Sequence, residues 1–200
     1  MSHDRRRTEP LVARAHRAFD AGDPAEAAHL AERVLAERPR HAAMRALLGR
    51  AWMQLGRLDA GLAEIRRAAG QDSKDPDRHA DLAAALITFG DYDAAMSAAD
   101  AALRLDRRHI AAAVLRAEVL MRRRRLDEAR RSLDRVAPRT GPEPIACAAL
   151  RARILDRDPE AADAEVVAAA TAVLERTDCP PVHRRLMLFV LGRRADRRGD

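Results

Sequence analysis

Apolar side chains recur along this chain at the spacing of helix turns, without the alternation of a strand. Leu48 with Trp52, Leu82 with Leu86 and Leu62 with Ile65 stand three or four residues apart, on one helix face each. Leu115 with Leu120 and Leu103 with Leu105 continue the two sets. Small residues fall at fixed places among them: Ala15, Gly49, Ala83 and Ala117 in one set, Ala27, Gly61, Ala95 and Ala129 in the other. Where two helices cross closely, only a small side chain lets the backbones approach. The pattern predicts pairs of short helices that cross at these residues.

The pairs recur with a fixed period. Gly22-Asp23, Gly56-Arg57 and Gly90-Asp91 are spaced by 34 residues, and the same step reaches Arg124-Arg125 followed by Leu126-Asp127-Glu128-Ala129. Four blocks therefore run in register over residues 8–142. Gly22, Gly56 and Gly90 suit the end of each first helix, where a left-handed residue is cheapest for glycine. Asp23-Pro24-Ala25-Glu26 then reads as an N-cap, a proline at the first helical position and a glutamate two residues on. Pro39 breaks the chain before the second block.

This sequence resembles the tetratricopeptide repeat family: a 34-residue period, small residues at both helix-crossing positions, glycine at the turn, and Leu48-Gly49-Arg50-Ala51-Trp52 in place of the family's first-helix motif. Arg124 stands where the turn glycine belongs, and Ser73, Arg107 and Gly141 stand in place of the closing proline. The resemblance implies an all-α fold, a right-handed solenoid of helix hairpins ending in a capping helix.

Residues 1–7 are set apart as a disordered basic N-terminus. After the loop Ala137-Pro138-Arg139-Thr140-Gly141-Pro142, residues 143–178 form a degenerate fifth pair. Its first helix is expected over Ile145 to Asp156, and Asp158-Pro159-Glu160 is expected to cap a longer second helix running to about Arg176. In residues 179–200, Val182 to Arg197 forms a last helix with Leu186, Phe189, Val190 and Ala195 inward. Leu191-Gly192 and Gly199-Asp200 fall on repeat positions, so this helix either caps the array or opens a truncated sixth repeat.

Composition agrees. The chain is 48% apolar but only 2% aromatic, with nine glycines and ten prolines, which disfavours a sandwich or barrel. No apolar run approaches the roughly 18 residues that span a bilayer, and no apolar segment follows the basic N-terminus as in a secretory signal. Cys147 and Cys179 have no metal-ligand or disulfide spacing, which points to a reducing cytoplasm. Net charge is +6, and Lys74 is the one lysine among 37 basic residues. GC-rich codon usage explains that bias better than an acidic or nucleic-acid partner.

Candidate chemistry is sparse. Glycine-rich phosphate loops, an HExxH pair and a GxSxG elbow are all missing, and the seven histidines are scattered. The expectation is a chain with no catalytic, metal or cofactor site. What the resemblance implies instead is a concave groove lined by first helices. Its positions carry Val12, His16 and Phe19, then Leu47, Arg50, Met53 and Gln54, then Asp77, Asp81, Ile87 and Thr88, then Leu115, Glu118, Met121 and Arg122. An apolar floor with a few charges suits an extended or helical segment of another protein. The family's two-carboxylate clamp is not matched: Val12, His16, Leu47, Asp77 and Asp81 occupy its positions, which argues against a terminal tail of the Hsp70 or Hsp90 kind.

The leading expectation is a protein-interaction scaffold that binds a partner's peptide or helical segment. One alternative is the recognition arm of a larger enzyme, since the stretch from Arg184 to Asp200 is loosely similar to the junction in bacterial repeat-containing sulfotransferases. The other is an arginine-rich nucleic-acid-binding solenoid carried by Arg122-Arg123-Arg124-Arg125, Arg130 and Arg131. No aromatics interleave these arginines for base stacking, so a solvated turn is the preferred reading of that run.

Overall fold

The computed structural model describes residues 2–137 and 143–198. The expected loop over 138–142 and the terminal Gly199-Asp200 lie outside the described residues. Among the described residues every secondary-structure element is a helix, and the chain divides into two compact units, Met1–Asp106 and Arg107–Asp200.

The first unit holds α1 (Ser2–Asp20), α2 (Pro24–Glu37), α3 (Ala42–Gln54), α4 (Leu58–Gln71), α5 (Pro76–Thr88) and α6 (Tyr92–Leu105). They pair as the hairpins α1/α2, α3/α4 and α5/α6, and α3 also packs on α1, α2 and α5. Helix α1 begins at Ser2, ahead of the Thr8 where the first block was expected to start. Thr8 is fully buried, and its hydroxyl accepts a hydrogen bond from Arg38 Nη1 at 3.2 Å.

The second unit holds α7 (Ile110–Arg122), α8 (Leu126–Asp134), α9 (Ile145–Arg157), α10 (Asp163–Leu174) and α11 (Pro181–Arg198). Here α7/α8 and α9/α10 are the hairpins, and α11 packs on α10 and α9.

The crossing residues sit where the sequence places them. Ala15, Ala27, Ala83, Ala95, Ala117 and Ala129 are all completely buried. Each of the four repeat hairpins turns on the same pair of hydrogen bonds. The Asp23 N–H reaches back to the Ala18 carbonyl and the Gly22 N–H to Phe19 O, and the same pairs form at Arg57/Trp52 with Gly56/Met53, at Asp91/Leu86 with Gly90/Ile87, and at Arg125/Leu120 with Arg124/Met121. This closure needs a left-handed residue, and φ is 79°, 80° and 76° at Gly22, Gly56 and Gly90, and 63° at Arg124.

The caps hold one surprise. Asp23 caps its second helix as expected, through the Glu26 N–H, and Asp91 does the same through the Ala94 N–H. First helices α3 and α7 are capped by histidines: His41 Nδ1 accepts from the Met44 N–H and His109 Nδ1 from the Ala112 N–H.

Three expectations about individual residues are corrected. Asp158 does not cap α10, which starts at Asp163. Its carboxylate instead accepts the Glu160 N–H in a local turn and pairs with Arg130. Phe189 points outward at 64% exposure, while Met187 and Val190 face the core and pack near Val166, Ala170 and Val173. Leu105, at the end of α6, is exposed rather than packed.

Candidate functional site

In the first unit, the face of α3 that carries Arg50, Met53 and Gln54 looks onto a depression of about 280 Å³. These residues are i, i+3 and i+4, so one turn presents all of them together. Helix α5 supplies the facing wall with Asp81, Ala84, Ala85 and Thr88, again on one stripe. Phe19 comes from the last turn of α1, held there by the Gly22 turn that closes on its carbonyl. Ile65 of α4, 1% exposed, forms the floor.

Arg50 organises this surface. Its guanidinium lies over the Phe19 ring at 4.3 Å from the centroid, and its Nη1 stands 3.7 Å from Asp81 Oδ1. Asp81 is held more firmly by Arg78, whose Nη1 is 2.9 Å from Oδ2, while Arg78 also reaches the α5 cap Asp75. Burial pushes the Asp81 carboxyl above the ordinary carboxylate range, and the charges of Arg50 and Arg78 oppose that rise. The result is an apolar trough with one partly sheltered ion pair on its wall.

A tetratricopeptide repeat model matches this sequence over residues 18–86 and again over 86–154. The chain belongs to the tetratricopeptide repeat family. Among solved structures it is similar to a thermophilic tetratricopeptide repeat protein of Thermus thermophilus, at 17% identity and a TM-score of 0.78, covering 92% of this chain and 98% of that one. It is also similar to YrrB, described as a repeat protein with an unusual peptide-binding site, at 14% identity and a TM-score of 0.58, with 92% of each chain covered. A third likeness is to the O-GlcNAc transferase of Thermobaculum terrenum, at 25% identity and a TM-score of 0.59, covering 69% of this chain and 28% of that one. No curated protein matches the sequence.

The other residues expected to line a tetratricopeptide repeat groove do not all share this trough. Leu47 is 1% exposed and packs with Ala15, Leu30, Val34 and Met44, so it belongs to the core. Val12 packs against that same cluster, and His16 is exposed on α1. Ile87 is half-buried and Asp77 exposed, neither of them in the trough wall. In the second unit Met121 is completely buried, again a core residue, and Leu115 is half-buried. Glu118 accepts from Arg122 at 2.9 Å and lies 3.7 Å from Arg153 of α9.

Two groups of residues escaped the sequence reading. Ile65, Ala84 and Ala85 complete the trough, yet Ile65 lies on a second helix and the alanines carry no chemical signal. The other is a buried ionic cluster in the second unit. Arg194 Nε is 3.0 Å from Asp156 Oδ1, its Nη2 is 2.9 Å from the Asp156 carbonyl oxygen, and its Nη1 is 2.5 Å from Asp163 Oδ1.

Among the described residues no group of three or more His, Cys, Asp or Glu could hold a metal ion, and no helix is long and apolar enough to cross a membrane. Cys147 is buried, and its thiol is pushed up to about 11, chiefly by that burial, with Glu143 adding to it.

Proposed function

We propose that this chain is a protein-interaction scaffold that receives a peptide segment of its partner in the α1–α3–α5 trough of the first unit. The observation that carries the reading is the convergence of Phe19, Arg50, Met53, Gln54, Asp81 and Thr88 on one depression. Apolar partner side chains would fill the space over Met53 and Ile65. Arg50, stacked on Phe19, offers remaining donors to a backbone carbonyl or carboxylate. A photo-crosslinking residue at Gln54 tests this in the producing cell, with the same residue at exposed Ser97 as control. A defined adduct from position 54, lost when Arg50→Glu and Met53→Asp are introduced together, supports the trough. An adduct that survives in a folded double variant overturns it.

A second reading, the recognition arm of a larger enzyme, draws on the likeness to the O-GlcNAc transferase, of whose chain the match covers 28%. Reading the gene past the codon for Asp200 tests it. A catalytic domain in frame would support an arm, and a stop codon would remove this reading.

A further inference from the structure

The run Arg122 to Arg125 is not uniform. Arg122 is paired with Glu118, and Arg125 with Glu128 through two hydrogen bonds. Arg124 differs in backbone as well as in partner. It holds the left-handed turn that glycine holds in the other three repeats, a conformation that crowds any L side chain. Strain of this kind at a non-glycine residue gathers at functional positions.

Arg124, so placed, lines a cavity of about 370 Å³ together with Asp156, Arg157, Asp158, Pro159 and Arg193. Both carboxylates are already neutralised. Asp156 is held by Arg194 and lies 3.4 Å from Arg193, and Asp158 is held by Arg130 and the Glu160 N–H. Among the described residues, the side chains of Arg124 and Arg157 have no ion pair or hydrogen bond. Two arginines without a carboxylate partner thus line one cavity whose anionic groups are used elsewhere.

We propose that this cavity is an oxyanion site that takes the phosphate of a small phosphate monoester, gripped by Arg124 and Arg157. A monoester carries close to two negative charges at neutral pH and three acceptor oxygens, enough for two forked guanidinium groups, whereas a carboxylate matches only one. The cavity has room for an organic group beyond the phosphate, and no aromatic ring lines it for stacking a nucleic-acid base. The site is independent of the trough proposed for peptide recognition.

Titration calorimetry of the full chain at constant ionic strength, with inorganic phosphate and phenyl phosphate as probes, tests the proposal. Saturable binding of phenyl phosphate, tighter than that of inorganic phosphate, is expected. Arg124→Gly and Arg157→Gln should each weaken it by about tenfold or more. Arg124→Gly should also raise Tm, because glycine relieves the turn, while Arg131→Gln on α8 should leave affinity unchanged. Equal or tighter binding of inorganic phosphate would overturn the monoester assignment. Absence of saturation at millimolar probe, or affinity that survives both substitutions, would overturn the site itself.

Discussion

The backbones of Gly49 and Gly61 touch so closely that a Cβ on either residue would lie 2.6 Å from the other's carbonyl oxygen. The α3/α4 hairpin is closed by this contact, with Ile65 and Met53 pressed around it. The other repeat hairpins use alanine at both positions and leave room for it. Gly49→Ala should therefore destabilise the protein by about 1–3 kcal/mol, since the obstruction is backbone that cannot swing aside. Gly70, exposed near the end of α4, has nothing within 4 Å of where an added methyl group would sit, so Gly70→Ala should stabilise by about 0.5 kcal/mol. Urea unfolding followed by helical circular dichroism separates the two signs. Equal effects would mean that the close approach is not holding α3 on α4.

The repeat was legible because its signals are local. A 34-residue period, a left-handed turn and a small crossing residue are each written in a few adjacent positions. Which face of a helix is closed over by a neighbour is not local. Helix α3 packs on α1, α2, α4 and α5, so nearly its whole circumference is covered, and Leu47 is enclosed while Arg50 and Met53 remain open. In α11 the six residues Leu186 to Leu191 are all apolar and offer no polar contrast to fix the rotation. Burying Arg194 against Asp156 accompanies the face with Met187 and Val190 inward, which leaves Phe189 outside.

Leu47 and Met53 test that distinction directly. Leu47→Ala removes a fully enclosed side chain and should lower stability by about 2–5 kcal/mol. Met53→Ala removes a side chain that is only half-buried and should lower it by less, about 1–2 kcal/mol. A reversed order in urea midpoints would return Leu47 to the accessible surface and discredit the placement of the trough.

His41 should make the first unit sensitive to mild acid. Its Nδ1 accepts the Met44 N–H, so the cap requires the neutral imidazole. Burial first, then the charge of Arg38, hold its pKa below the ordinary histidine value. The unfolded chain then takes up the proton at higher pH than the folded one. The contribution is complete above about pH 6.5 and is lost as pH falls through the lower folded value. The loss should be about 0.5–1 kcal/mol, the size of one N-cap. His183 is held low by burial and shifts stability in the same direction. The comparison is therefore with His41→Asn, whose amide oxygen can cap without titrating. Urea midpoints at about pH 7.5 and pH 5 should differ less in that variant than in the parent chain. An identical difference would show that the imidazole cap contributes nothing.

The ion pair of Asp156 with Arg194 should behave as a buried one. Both side chains are nearly inaccessible, 4% and 6% exposed, and Arg194 joins α11 to the C-terminal end of α9 and the start of α10. Removing Asp156 leaves the Arg194 charge partly stranded, with the half-exposed Asp163 as its remaining carboxylate, so Asp156→Ala should cost about 1–3 kcal/mol. Replacing both, as Asp156→Leu with Arg194→Met, removes the stranded charge and should recover most of that loss. Asp163 is 37% exposed and can turn to solvent once Arg194 is gone. A double-mutant cycle in urea is the measurement, read together with amide exchange in α11 to see whether the helix stays docked. Single substitutions that cost under about 1 kcal/mol would place the pair at a solvated surface instead, where ion pairs contribute little.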